Sequence, residues 1–274
     1  LKAALIPPIP HLDQFGHGDF HLLLAHLLDH ATYREWYRAE RKHGAYLVLD
    51  NSAHENGQGQ DPATLLKMGF DLDAQEIVVP DVLDDAGATI ECCLAAHEEW
   101  FESKSVILDT YAPAFMYVPQ GRNEDEWKDC LKDLVSIHDY CARKYSLRRD
   151  YVIGVSKDYN VWDGGLMKLL DEHVKPLRDE ALERGVRVQV HLLGWMRDLW
   201  SLREIANKHL WLRSTDSAKP FVYAEANIDL IESYNKHKVP EYPKRKDEYF
   251  YKKLNRRQLE IADNNVWMFR ETAL

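Results

Sequence analysis

The chain has 274 residues, of which 45% are hydrophobic, and a formal net charge of −10. That length can bury one α/β barrel or two smaller domains, and the acidic balance excludes nonspecific coating of nucleic acid, whose affinity comes largely from phosphate neutralisation. No apolar run approaches the roughly 20 residues that span a bilayer. The opening stretch 1–10 lacks the basic and long apolar regions of a signal peptide, so a cytoplasmic protein without a membrane partner is expected.

Taken in chain order, strand-like and helix-like stretches alternate. Residues 2–6 read as a first strand, and the apolar run 20–30 as a helix. A strand over 45–50 precedes a helix over 61–69, where Asp61-Pro62 puts proline at a first helical position. Next come a strand over 76–80, a helix over 85–103, a strand over 115–118 and a helix over 124–146. The last of these is loaded with acids at its start by Asn123-Glu124-Asp125-Glu126, which suits the positive end of a helix. The remainder gives a strand over 151–154, a helix over 163–184, a strand over 187–193, a helix over 197–208 and a strand over 210–215.

Short apolar strands separated by helices of this length predict a parallel sheet covered on both faces. Seven strands are visible, and the eighth of a closed barrel is placed at Phe221-Val222-Tyr223 or near Val266-Trp267-Met268. No G-x-G-x-x-G follows the first strand, which disfavours a doubly wound open sheet. The expected fold is therefore α/β, a single-domain (β/α)8 TIM barrel. Cys92, Cys93, Cys130 and Cys141 all fall in expected helices and form no C-x-x-C pair, so they read as reduced core thiols with no metal or cofactor.

Three predicted strands run into an aspartate. Tyr46-Leu47-Val48-Leu49 leads to Asp50, Ile77-Val78-Val79-Pro80 to Asp81, and the strand over 210–215 to Asp216. In a (β/α)8 barrel the C-terminal strand ends carry the chemistry. A single aspartate there serves as readily to cap the following helix; three together point to a nucleophile, a proton carrier and a polar group that reads the substrate.

The strand ends read, in order, Asp50-Asn51-Ser52-Ala53-His54-Glu55, Pro80-Asp81, Pro119-Gln120-Gly121, Ile153-Gly154-Val155, His191-Leu192-Leu193-Gly194 and Thr215-Asp216-Ser217-Ala218-Lys219-Pro220. This ordered set resembles the tRNA-guanine transglycosylase superfamily over roughly residues 45–225. It looks most like that superfamily's zinc-free members, which insert 7-deazaguanine bases into DNA in phages and bacteria. The resemblance implies that Asp216, in an Asp-x-x-x-Pro motif with Pro220, is the nucleophile and that Asp50 is the general acid/base. It also implies that Asp81 and Gln120 read a guanine edge, that His54 stacks on the base, and that Gly121, Gly154, Leu193 and Gly194 contact it.

The chemistry has its own logic. Exchanging a base while its sugar stays in a polynucleotide is favoured by a covalent intermediate. Two carboxylates can then divide the work much as they do in retaining glycosidases.

The chain departs from the RNA-modifying members in three places. No cysteine follows Asp216, so their zinc site is missing; Ser52-Ala53 stands where they carry Gly-Gly; and Phe221, Val222 and Tyr223 stand where an arginine is common. These departures favour DNA over tRNA. Between 236 and 257 there are nine Lys/Arg against three acids, with Tyr242, Tyr249, Phe250 and Tyr251 interleaved. Such a mixture offers charge to phosphates and flat faces to bases. Lys219, Lys244, Arg245, Lys246, Lys252, Lys253, Arg256 and Arg257 are accordingly candidates for nucleic-acid contact.

The expected layout is a barrel over 1–235 with a basic, aromatic segment over 236–274 packed on it in place of the zinc subdomain. The implied activity is exchange of guanine in DNA for a 7-deazaguanine base, and the resemblance allows a homodimer. Alternatives are the same exchange on tRNA, or an N-glycosidase acting on a deazaguanine nucleoside or nucleotide.

Overall fold

In a computed structural model, which describes all residues except 103–112, 146–149, 195–198, 232–246 and 274, eight parallel strands wind into a nearly closed barrel. The strands are β1 (Lys2–Leu5), β2 (Phe20–Leu24), β3 (Tyr46–Asp50), β4 (Glu76–Val78), β5 (Ala114–Tyr117), β6 (Tyr151–Ser156), β7 (Val188–Leu193) and β8 (Ser214–Ser217). Each strand from β2 to β8 pairs in parallel with its successor or predecessor, and β8 pairs with β1. β1 and β2 lie against each other at the remaining seam. The chain is thus a single-domain (β/α)8 barrel.

The outer helices are α1 (Ala31–Lys42), α2 (Pro62–Leu72), α3 (Ala86–Glu102), α4 (Glu124–Lys144), α5, α6 (Leu199–Lys208), α7 (Lys219–Glu225) and α8 (Arg256–Ala273). Here α5 denotes Gly165–Leu169 continued through a π-helical turn at Leu170–Val174 into Lys175–Glu183. Two of the helix starts obey their sequence signals. Asp61 accepts from Thr64 N at 3.0 Å ahead of Pro62, and Asn123 accepts from Glu126 N at 3.0 Å.

The structure corrects the count of strands. Residues 20–24 form β2, not a helix, and every one of them is buried. A short apolar run buried on both faces has no alternation to distinguish it from a core helix. With β2 in place, neither expected location of the eighth strand is needed: Phe221-Val222-Tyr223 lies in α7 and Val266-Trp267-Met268 in α8. The strand expected over 210–215 begins only at Ser214, and Leu210 is exposed.

Helix α8 packs against α6, α7 and β1, so the C-terminal stretch supplies part of the barrel's outer layer. Its buried Asn265 donates to the carbonyls of Pro220 and Ile228, both at 3.0 Å, and accepts from Leu230 N at 2.7 Å. This amide ties down the turn after β8 and so steadies the end of the strand that carries Asp216. Among the described residues no helix is long and apolar enough to cross a membrane.

Candidate active site

At the C-terminal ends of the strands opens a cavity of about 560 Å³. Leu22 and Leu24, two apart on β2, both line it, as the period of two in a strand requires. Val78, Val118 and Leu193 add apolar wall. Into this setting the strand ends deliver Asp50, Asp81 and Asp216, with Gln120, His54, Glu55, Asp158, Lys157 and Lys219 around them.

Asp50 ends β3 in a tight turn built by its own neighbours. Its carboxylate accepts from Ser52 N at 2.7 Å, and Asn51 Oδ1 accepts from Ala53 N at 2.8 Å. Ser52 takes the left-handed conformation, φ 62°, that glycine adopts most easily. A serine is held there because its fully buried hydroxyl lies 2.9 Å from His26 Nδ1 and accepts from His26 N at 3.2 Å. His26 in turn packs edge-on against Phe250. Burial holds the Asp50 carboxyl well above the usual carboxylate range, and the nearby charges of Glu55, Asp81 and Asp216 add to the effect against the Ser52 hydrogen bond. The shift favours the protonated form of Asp50.

Asp81 is gripped on both oxygens. Asn51 Nδ2 donates to one at 2.7 Å and Gln120 Nε2 to the other at 2.5 Å. Gln120 is itself fixed, its Oε1 accepting from Asp84 N at 3.3 Å and lying 2.7 Å from the Tyr159 hydroxyl. Burial pushes Asp81 up to about 6, opposed by the two amide donors. Asn51 and Tyr159 were not anticipated as site residues. The signal for Asn51 was its place directly after a strand-terminal aspartate, where Asn commonly closes a turn.

Asp216 lies on β8, 4% exposed. Among the described residues, one of its oxygens takes both polar contacts of the carboxylate: Gly194 N donates to Oδ1 at 2.8 Å, and His191 Nε2 sits 3.0 Å from the same atom. His191, completely buried, is a further unanticipated participant. It precedes Leu193 by two on β7, so the alternation that puts Leu193 on the cavity wall puts His191 on the same inward face.

Most of the expected base-contacting residues gather here, with three corrections. Gly121 and Gly154 do not line the cavity. A Cβ on Gly121 would come within 2.5 Å of Trp127 N, and one on Gly154 within 2.9 Å of Leu193, Met116 and Val118, so both glycines serve close packing. Gly194 does line the cavity, but its N–H is committed to Asp216.

Lys219, expected with the nucleic-acid-binding residues, is 7% exposed and lines the cavity wall. Of the basic segment, Lys244, Arg245 and Lys246 lie outside the described residues. Lys253, Arg256 and Arg257 are exposed, Lys252 is half-buried and 3.4 Å from Glu225, and Arg256 pairs with Glu260 at 3.2 Å. The stretch that precedes them is fastened to the rim. The Tyr249 hydroxyl donates to the carbonyl of Ile6, a cavity residue, and Leu254 N donates to His11 Nε2 at 2.8 Å.

The described residues also contain one group with metal-ligand spacing, Glu124, Glu172 and His173. None of the three lines the cavity. The Lys168 ammonium donates to Glu124 at 2.8 Å and already supplies a cation there.

No protein-family model and no curated protein matches the chain.

Proposed function

We propose that the protein is a base-exchange transglycosylase that replaces guanine in DNA with a 7-deazaguanine base. What carries the proposal is the convergence of Asp50, Asp81 and Asp216 on one cavity, where burial favours the protonated form of Asp50. A nucleophilic carboxylate and a second acid to carry the proton, beside one sugar, meet the needs of bond cleavage with a covalent intermediate.

The steps follow from these positions. A carboxylate oxygen of Asp216 attacks C1′ of the target deoxyribose, and the bond between C1′ and the guanine nitrogen breaks. Asp50 gives its proton to the departing guanine, leaving an aspartyl ester to the DNA. The incoming 7-deazaguanine base loses its ring N–H proton to Asp50, attacks C1′ and releases Asp216. Asp81, backed by Asn51 and Gln120, accepts from the N–H groups of either base. A base reaches such a pocket only unstacked, so single-stranded or flipped DNA is the substrate form.

DNA is preferred to tRNA because no cysteine follows Asp216 to build the zinc site of the RNA-modifying members. Exposed Tyr251, Lys253 and Arg257, which follow the stretch fastened to Ile6, suit a polynucleotide track, whereas Tyr249 and Phe250 are buried and offer no face to a base. The test is incubation with a radiolabelled 7-deazaguanine base and either DNA or tRNA. Label should enter DNA, and Asp216→Asn should abolish its entry. Incorporation into tRNA alone would move the substrate, and release of free base without incorporation would make the enzyme a glycosidase.

A further inference from the structure

A continuous polar chain crosses the barrel interior beneath Asp216. At its far end Glu76, fully buried at the start of β4, pairs with both terminal nitrogens of Arg213, at 2.5 and 3.0 Å. The guanidinium also lies over the rings of Phe20, at 5.4 Å, and Tyr46, at 6.0 Å. Arg213 Nε then donates to Ser214 Oγ at 2.9 Å. Ser214 Oγ lies 2.8 Å from His191 Nδ1, and His191 Nε2 lies 3.0 Å from Asp216 Oδ1.

The direction of the protons follows from the chemistry of the groups. A guanidinium only donates, so Ser214 Oγ accepts from Arg213. Among the described residues no other acceptor is recorded for the Ser214 hydroxyl, whose proton therefore goes to His191 Nδ1. The ring then carries its hydrogen on Nε2 and presents it to Asp216. The reverse tautomer would turn a lone pair toward the carboxylate.

From this geometry we infer that His191 is a positioning residue for Asp216. Its tautomer is set by the Glu76–Arg213–Ser214 chain, and its Nε2–H and the Gly194 N–H together fix Oδ1, which leaves Oδ2 as the atom that attacks. The role in attack rests on the function proposed above; the tautomer does not. A nucleophile held by one oxygen loses rotational freedom before the substrate arrives, and misplacement of the order of 1 Å costs about a hundred-fold in rate. Holding Asp216 this way requires the buried relay, because the ring could otherwise face the carboxylate with the wrong nitrogen.

The test has two arms. Nitrogen-15 NMR of the resting protein, at mildly alkaline pH, reads the His191 ring directly. The expected spectrum has a protonated Nε2 and a bare Nδ1, and Ser214→Ala should erode that preference. An Nδ1–H ring in the wild type, neutral or doubly protonated, overturns the inference whatever the activity.

In the second arm, label incorporation into DNA is compared for the wild type, His191→Phe and His191→Gln, the last placing an amide N–H near the Nε2 position. His191→Phe should lower kcat by about a hundred-fold with KM little changed, and His191→Gln should recover most of the loss. Should His191→Phe fail to fold, Ser214→Ala carries the same expectation of a lowered kcat at constant KM. Unchanged kcat in a folded His191→Phe or Ser214→Ala protein ends the positioning role alone. If instead the wild type incorporates nothing into any polynucleotide, the proposed function fails and the positioning role with it, while the NMR arm still decides the relay.

Discussion

Gly194 donates its backbone N–H to Asp216 Oδ1 at 2.8 Å from a left-handed conformation, φ 61°. An added Cβ there would have room, since its nearest neighbour is the Lys157 side chain at 3.4 Å. The penalty of Gly194→Ala is therefore conformational, about 1 kcal/mol, and shows as a fall in melting temperature of about 3 °C. If the backbone relaxes to escape that strain, the N–H leaves Asp216 and kcat drops with KM preserved. Melting and single-turnover incorporation measured side by side check this; a lower melting temperature with unaltered turnover would show that the N–H is dispensable.

If the proposed function holds, Asp81 should set the pH dependence of base binding. Burial pushes its carboxyl up to about 6, so it is neutral below that pH and ionised above it. The ionised form accepts hydrogen bonds from a guanine edge on both oxygens, whereas the neutral form offers a donor in one of those places. Affinity for the free base, measured by calorimetry, should therefore strengthen as pH rises through about 6 and level off above 7. Asp81→Asn should remove that inflection. An identical inflection in the variant would assign it to another group.

Asp50 should trade stability for activity. Its folded-state pKa is raised by burial, and by the charges of Glu55, Asp81 and Asp216. The folded state thus binds its proton more tightly than the unfolded chain does, and this penalises the fold once pH exceeds the ordinary carboxylate value of about 4. Asp50→Asn keeps an oxygen for Ser52 N and escapes the penalty. The variant should melt higher than the wild type at neutral pH, with the advantage fading as pH falls below about 4, and should incorporate no label. Equal melting temperatures at neutral pH would contradict the burial argument.

Glu76 and Arg213 form a pair in which each charge depends on the other. Removing one partner of such a buried pair costs about 3–5 kcal/mol, whereas replacing both with apolar side chains is far cheaper. Glu76→Ala should therefore destabilise strongly in urea, and a Glu76→Met, Arg213→Met double variant should recover most of the loss. The double variant should remain poorly active, because Ser214 has lost its donor. Full activity in the stable double variant would remove the relay's link to turnover.

The barrel was legible in the sequence because its strands and helices alternate, and Asp50, Asp81 and Asp216 were legible because each stands at or just beyond the C-terminal end of a strand. The true extent of β8 stayed hidden because it is buried without hydropathy. β8 reads Ser214-Thr215-Asp216-Ser217, with no apolar residue, yet all four are buried. Ser214 meets His191, the Thr215 hydroxyl donates to Leu192 O at 3.0 Å, Asp216 holds Gly194, and Ser217 Oγ accepts from Lys219 N at 3.1 Å. No window of hydrophobicity detects a strand stabilised in this way. β2 failed for the opposite reason, since Phe20–Leu24 is buried throughout and shows no period of two. Gly121 and Gly154 misled because a glycine that admits a neighbouring side chain looks, in sequence, like one that admits a ligand.

Ser52 links the turn that carries Asp50 to the stretch that carries Tyr249 and Phe250. Through His26 its hydroxyl joins the turn that aims Asp50 to Phe250, and Phe250 sits in the stretch whose neighbour Tyr249 is fastened to Ile6. A displacement of the outer stretch is thus passed to the turn that carries Asp50. Two segments far apart in the chain, one at the end of β3 and one just before α8, are geared to each other by one hydroxyl.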